Sequence, residues 1–556
     1  MNMKKYTIGL DFGSLSCRGI LVDTSDGKIC AEAMMEYPHG VMTEALPDGA
    51  PLEGDVAFQH PRDFREAMEA VIKEIVSKCD HPENIVGIAA DTTVSTVIAL
   101  DGDFLPLCEK PEFASRPQAY AKMWKHHGAA PMAKRVEQIC IEQNRPYLDW
   151  YGGSISSESL FMKAIETFER DRVVYDNTAC FIELADYIPS LLAGKPIFSV
   201  PLLKAKAFCD DNWSYPDDKF LAAFDPELVG LPNKLSEAFN RCIFYPGTIG
   251  APLCREMAEK LGLPEGIAVS AGTADSYAPI VGIGITGANR MIMTIGTSTG
   301  MMILNDEPQF VEGVTVCLRD ILYKNMQFYG SGQTSTGDAL GWFADNCVPS
   351  RYEREAEAKG ISIQVLLTEK AALLEPGSGG VMALDWLNGN KSCLANPNLT
   401  GLFVGLTLST KPEQMYRALI EATAFGARAI IENYEKSGVP VREIRAAGGI
   451  VGKNKLLMQI YADVIGIPIM ASRCPQVPAL GAAINAASAA KAYPNIESAV
   501  EAMACKEFDV YTPNPENREK YDQLYAEYMT LHDYFGKGGN GIMEKLKMSN
   551  FGNNSI

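Results

Sequence analysis

The sequence predicts an α/β protein built from two related domains, and three observations carry that expectation. The chain has 556 residues, whereas a single hydrophobic core seldom organises more than about 250–300. Apolar strand-like runs alternate with segments of helical spacing, the pattern of a sheet with crossover helices. A strand–polar turn–strand device near the N-terminus also starts again close to residue 290.

Taken in order, residues 6–23 (YTIGLDFGSLSCRGILVD) place apolar runs on either side of a Gly-Ser turn, which reads as two strands. Residues 62–78 carry Phe64, Met68, Val71, Ile72 and Ile75 at helical spacing. Residues 85–100 read as a buried strand, a polar turn and a second strand. The restart is RMIMTIGTSTGMMIL at 290–304, followed by helices at 334–346 and 411–436 and a strand at 443–447 that runs into Gly448-Gly449. Residues 105–250 are less regular and rich in Pro, Trp and Tyr, as expected of an insertion that shapes a pocket. The expected division is a domain over 1–280, a second over 285–535, and a Gly/Asn-rich loose tail over 536–556.

Hydrophobic residues make up 47% and charged residues 21%, which places the chain among ordinary soluble globular proteins. A net charge of -19 repels phosphate backbones and anionic lipid, so nucleic-acid or membrane binding is not expected as the main role. ATP remains compatible, because local backbone N–H groups and Mg²⁺ can hold its phosphates. The 14 cysteines are scattered singly without CxxC spacing, as expected of reduced cysteine in a cytoplasmic protein. His126 and His127 are adjacent and diverge on any regular element, which makes them a poor metal pair. Asp11 interrupts the N-terminal segment before an apolar run could act as a signal peptide, and 479–490 is too short and too small-residued to span a bilayer.

Four short motifs can carry chemistry. Gly9-Leu10-Asp11-Phe12-Gly13-Ser14, with Ser16 behind it, ends a strand in an acid and a turn whose N–H groups can face a phosphate. Asp11 can hold Mg²⁺, which takes one or two carboxylates and keeps several waters. An ordinary hairpin turn with a capping Asp explains the same letters. Ile295-Gly296-Thr297-Ser298-Thr299-Gly300 repeats the device, and two such loops suggest two grips on one polyphosphate. Ala446-Ala447-Gly448-Gly449-Ile450, with Asn454 downstream, lets backbone approach a flat ligand such as adenosine, although a plain strand-to-helix turn has the same composition. The neighbouring Gly448–Asn454 segment imitates a Walker loop but is one residue short and lacks its Ser/Thr. The GxGxxG match at 282–287 follows a helical stretch and precedes a strand, the wrong order for a dinucleotide fold, so a helix-ending glycine turn is expected there. Ala271-Gly272-Thr273-Ala274-Asp275-Ser276 sets one acid among small residues, which suits either a base that takes a hydroxyl proton or a helix N-cap.

These motifs, in this order and spacing, resemble the FGGY carbohydrate kinases, and the ribulokinase branch in particular. The stretches that carry the resemblance include YPHGVMTEALPDG (37–49), DTTVST (91–96), YGGSISSESLF (151–161), ALDWLNGN (383–390), TGLFVGLTLSTKPEQMYRALIEATAFGAR (400–428), AAGGIVGKNKLLMQIYADV (446–464) and PALGAAI (478–484). The resemblance implies two actin-like (ribonuclease H-like) ATPase domains with a cleft between them. It also implies ATP and Mg²⁺ as cofactors, a small sugar as substrate, and a homodimer. By the same resemblance Asp275 is the catalytic base, binds the metal together with Asp11, and binds the sugar. Asp11 serves Mg²⁺, and Gly13, Ser14 and Ser16 serve phosphate. Gly296, Thr297 and Ser298 meet the terminal phosphate, and Gly448, Gly449 and Asn454 line the adenosine pocket. Lys206, with Ser95, Thr96 and Trp124, falls on the sugar side.

The expected activity is phosphoryl transfer from ATP to a ketopentose such as ribulose, giving ribulose 5-phosphate. Another ketose or polyol is the alternative substrate, and a nucleotide-switched binding or filament protein on the same fold is the alternative class. The chain departs from the ribulokinase pattern at three places: Asp275-Ser276-Tyr277 replaces Asp-Ala-His, Gly300-Met301 replaces Cys-His, and Gly330 stands where the pattern has Glu.

Overall fold

The structure, a computed structural model, describes residues 4–240 and 242–548. Cα proximity divides the chain into two compact units. The first comprises 1–286, 318–326 and 476–505, and the second 287–317, 327–475 and 506–556. This division differs from a simple cut near 280–285, because 476–505 returns to the first unit.

The first unit is organised by a sheet with the order Ile249–Pro252, Ala268–Ser270, Ile85–Thr92, Tyr6–Phe12, Ser16–Asp23, Ile29–Glu36. Tyr6–Phe12 pairs antiparallel with Ser16–Asp23 and parallel with Ile85–Thr92. Ile8, Leu10 and Phe12 are fully buried, which explains the near-continuous apolar run of this central strand. The helix Pro61–Ser77 begins at a His60 side chain that accepts the Arg62 N–H, and it buries Phe64, Met68, Val71, Ile72 and Ile75, the positions its spacing marks. Ile85–Thr92 and Val97–Leu100 do not pair with each other. After Thr92 the chain leaves the main sheet, and Val97–Leu100 joins a four-stranded sheet beside Cys180–Glu183 and Ala121–Lys122. The irregular 105–250 segment contains the helices Leu160–Arg170, Leu184–Ala193 and Val200–Lys206.

The helix Val477–Ala489 covers the middle of this sheet at unusually close range. Thr7 Oγ1 donates to the Ala483 carbonyl at 3.0 Å. A Cβ on Gly9 would lie 2.0 Å from the Ala479 carbonyl oxygen, and one on Gly481 would lie 2.0 Å from that of Ala278. Backbone cannot yield as a flexible side chain can, so only glycine fits at these two positions. Gly481→Val is therefore expected to cost about 3 kcal/mol or more of stability, read as a lower urea midpoint. An unchanged midpoint contradicts the close approach.

The second unit repeats the strand order. Gln327–Gln333, Thr299–Asn305 and Arg290–Ile295 run antiparallel to their neighbours, and Glu443–Ala447 and Ile469–Ser472 add in parallel. The 25-residue helix Pro412–Lys436 packs on this sheet and buries Leu419, Ile420, Phe425 and Tyr434. The expected loose tail is corrected as far as it is described. Ile542–Met548 is a helix that buries Met543, with Asn396 Nδ2 donating to Glu544 Oε1 at 2.5 Å and Lys547 Nζ to the Pro397 carbonyl at 2.6 Å. The rest of that expectation, 549–556, lies outside the described residues. None of the 14 cysteines forms a disulfide, and among the described residues no helix is long and apolar enough to cross a membrane.

Candidate active site

In the first unit three carboxylates gather at the carboxyl ends of parallel strands. Asp11 and Asp91 are register partners on Tyr6–Phe12 and Ile85–Thr92. Thr273–Ala274 pairs with Asp91-Thr92, which delivers Asp275 at the next residue. The Asp275 N–H donates to the Thr92 carbonyl at 2.7 Å. The chain thus turns at Asp275 under backbone control, and the helix Ala278–Gly282 begins three residues later.

The electrostatics of the three groups differ. Burial, then the charge of Asp11, pushes the Asp275 carboxyl up to about 7, while the N–H groups of Ser276 and Val94 draw it partly back. Asp11 is raised by burial and partly relieved by Arg18, whose guanidinium stands 4.0 Å away. Asp91 is wholly buried, its oxygens meet no donor beyond the Asp11 carboxyl, and burial, the charges of Asp11 and Asp275 and the hydrogen bond with Asp11 hold it well above the usual carboxylate range. An orphaned buried carboxylate beside a second one is a vacancy in charge balance that a hard cation fills. Among the described residues no group of three or more His, Cys, Asp or Glu is arranged as a metal centre of its own. The pair Asp11 and Asp91 offers the one or two carboxylates that Mg²⁺ takes, with water and phosphate completing its shell.

The Gly13–Ser16 turn is braced from behind. Gly13 N–H donates to the Ser16 carbonyl at 2.9 Å, and Gln59 Nε2 donates to the Ser14 carbonyl at 2.8 Å. Trp124 Nε1 donates to Ser14 Oγ at 3.0 Å, so this indole ties down the expected phosphate loop, a contact that the sequence motif did not foretell. On the other side of Asp275, the Thr93 and Thr96 hydroxyls hydrogen-bond at 2.8 Å, and Ser95 sits in the left-handed region at φ 64°. Lys206, at the end of Val200–Lys206, is half-buried, and its charge lowers the pKa of the Glu183 carboxyl.

The second unit presents its own turn. Gly296 N–H donates to the Ser298 carbonyl at 2.9 Å, and the Thr297 carbonyl accepts from the N–H groups of Thr336 and Asp338. Thr297 and Ser298 are exposed. Gly448 has φ 119°, and a Cβ there would lie 2.4 Å from the Ile295 carbonyl, so the Gly-Gly turn nests against the end of Arg290–Ile295. The Gly296–Ser298 turn and Gly448-Gly449 therefore share one edge of this sheet. Asn454 caps the helix Lys455–Ile465, its Oδ1 accepting the Leu457 N–H at 3.0 Å, so its oxygen serves the fold.

The departures from the family pattern have physical settings. Met301 is fully buried in the apolar core of the second unit. A Cβ at Gly330 would meet Val316 Cγ1 at 2.7 Å, so Val316 fills the space that a longer side chain would need. The sequence motifs missed Asp91, Lys163 and Glu183. Asp91 does open the DTTVST stretch, where one acid at the end of an apolar strand was the available signal.

Comparison with known proteins agrees with this geometry. Residues 291–490 match the family model described as FGGY family of carbohydrate kinases, C-terminal domain. A ribulokinase from Bacillus licheniformis is 43% identical over 540 residues, covering 96% of this chain and 97% of the relative. A ribulokinase from Geobacillus thermodenitrificans is 39% identical over 551 residues, covering 98% and 97%. Among solved structures, a gluconate kinase from Lactobacillus acidophilus superposes with a TM-score of 0.80 at 20% identity, covering 96% of this chain and 99% of the other. A xylulose kinase from the same organism gives 0.79 at 20% identity, covering 95% and 98%. At that identity the two structures speak for the fold alone.

Proposed function

The chain belongs to the FGGY family of carbohydrate kinases, and we propose that its acceptor is ribulose, phosphorylated to ribulose 5-phosphate in the cytoplasm. The observation that carries the choice of sugar is the likeness to ribulokinases along 96% of the chain. The enzyme is an ATP-dependent sugar kinase, so its residues have three tasks: hold the polyphosphate, take a proton from the attacking hydroxyl, and orient the sugar.

Asp275 takes the proton. Its pKa of about 7 supports this role, because a base is most effective when its pKa lies near the working pH. Asp11 and Asp91 would hold Mg²⁺, which would supply positive charge for the phosphate oxygens. The Gly13–Ser16 turn offers N–H groups to phosphate, and Gln59 and Trp124 keep it from drifting. The Gly296–Ser298 turn of the second unit offers exposed hydroxyls and N–H groups of the same kind, and Gly449, open on its Cβ side, leaves space for a flat base. Ser95, Thr96 and Lys206 face the sugar.

Base catalysis by Asp275 sets the pH profile. The carboxylate must be unprotonated to act, so kcat/KM is expected to fall about tenfold per pH unit below about pH 7. A profile flat down to pH 5 contradicts the role.

A second reading, another ketose as acceptor, is favoured by one observation: Val316 stands where the ribulokinase pattern places the Glu of position 330. A site with one hydrogen-bonding partner exchanged discriminates strongly between sugars. A coupled ADP-release assay across both enantiomers of ribulose and xylulose, their polyols and shorter ketoses tests the choice. The highest kcat/KM is expected for a ribulose; turnover confined to another sugar transfers the assignment to it.

A further inference from the structure

A buried lysine and a buried glutamate behind the Val94–Thr96 turn are not absorbed by any of these tasks. Lys163, on the helix Leu160–Arg170, is fully buried. Its Nζ donates to the carbonyls of Ser95 at 2.5 Å, Met123 at 2.8 Å and Lys122 at 3.3 Å. All three ammonium protons are thereby spent on backbone. Glu183, at the end of Cys180–Glu183, is also buried, and neither of its oxygens makes a close hydrogen bond. Burial pushes its carboxyl up to about 7, and the ammonium groups of Lys163 and Lys206 and the N–H groups of Ser95 and Thr96 draw it partly back, while burial draws Lys163 down to about 7.

Two costs coincide here. Withdrawing an ammonium and a carboxylate from water is expensive, and apolar residues of equal volume would usually be cheaper. Ser95 is held left-handed, about 1 kcal/mol uphill for a residue with a Cβ. Each cost falls on the same turn. Lys163 grips the Ser95 carbonyl, and Glu183 faces the N–H groups of Ser95 and Thr96. One residue before Ser95, the Val94 N–H reaches the Asp275 carboxylate. The Leu184 N–H also donates to the Thr96 carbonyl at 2.8 Å, so the turn is held from the Glu183 side as well.

We propose that Lys163 and Glu183 form a buried clamp that holds the Val94–Thr96 turn against Asp275, which makes both of them positioning residues for phosphoryl transfer. This rests on the kinase reading of Asp275. Neither side chain is assigned contact with sugar or nucleotide; their effect passes through the backbone of the turn.

The test uses Lys163→Met and the isosteric Glu183→Gln in the full chain. Each is compared with the native protein by hydrogen exchange over peptides covering 92–97 and by steady-state kinetics on whichever sugar the native protein turns over. Expected are faster exchange confined to that segment, a kcat lower by about 10- to 100-fold, and a KM for ATP unchanged within experimental error. A folded variant with native kcat, or one whose exchange quickens throughout the unit while the KM for ATP rises in step, overturns the proposal. If Lys163→Met does not fold, Glu183→Gln decides on the same criteria. If neither folds, the pair is a folding requirement and the proposal fails. A native protein inactive on every sugar defeats the kinase reading itself, and the clamp's catalytic meaning with it.

Discussion

Asp275→Asn is expected to fold, to bind ATP with a KM close to native, and to lose about 10²- to 10⁴-fold in turnover. The amide keeps the carboxylate's shape, and its oxygen can still accept from Val94 and Ser276, the N–H groups that meet the native side chain. It cannot take a proton from the attacking hydroxyl. Folding should not suffer, because burial and the charge of Asp11 already disfavour the ionised carboxylate. A thermal melt and the coupled ADP-release assay on one preparation separate the two effects. Native-like turnover in a folded variant removes Asp275 from the chemistry.

Asp91→Asn is expected to lose activity and gain stability together. The native carboxylate is wholly buried and meets no donor beyond the Asp11 carboxyl beside it. Its folded pKa lies well above the unfolded value, so whatever stability it contributes is present below the unfolded pKa and is lost as pH rises towards the folded one. The neutral amide escapes that loss. The melting temperature of the variant should therefore exceed the native one at pH 8, with a smaller difference at pH 5. Turnover should fall, and the Mg²⁺ concentration needed for half-maximal rate should rise, because one of two carboxylates has been neutralised. Equal melting temperatures at pH 8 contradict the picture of an uncompensated buried charge. Native turnover with native Mg²⁺ dependence contradicts the assigned role.

How much of this was legible in the sequence depended on how local the determining contacts are. The turns at Gly13–Ser16 and Gly296–Ser298 could be read because strand, glycine and hydroxyl residues are adjacent in the chain. The helix Pro61–Ser77 could be read because its buried face repeats within one element. Asp275 stood out as a lone acid among small residues, but its relation to Asp11 needs three strands brought into register. Asp91 escaped notice because an acid closing an apolar strand looks like a strand end. Lys163 and Glu183 escaped for a stronger reason: the nitrogen of Lys163 meets the carbonyl of Ser95 across 68 positions.

The return of 476–505 to the first unit was also hidden. Its trace in the sequence is the run of small residues from Ala479 to Ala490, which reads as a weak apolar segment until the close packing on Gly9, where an added Cβ would lie 2.0 Å from the Ala479 carbonyl oxygen, supplies the reason. The loose tail was inferred from composition, which does not reveal that Met543 finds a buried seat. Trp124, expected on the sugar side, donates its indole N–H to Ser14 of the phosphate turn, a contact between residues 110 positions apart.

The central claim is that ATP turnover by this chain delivers a phosphoryl group to a sugar. Phosphorus NMR of the native protein with ATP, Mg²⁺ and ribulose follows ADP, sugar phosphate and inorganic phosphate in one sample. The account predicts ADP and a ribulose 5-phosphate resonance growing in equal amounts, with little inorganic phosphate. Inorganic phosphate growing with ADP at a rate indifferent to every sugar would contradict it and favour a nucleotide-driven switch on the same fold.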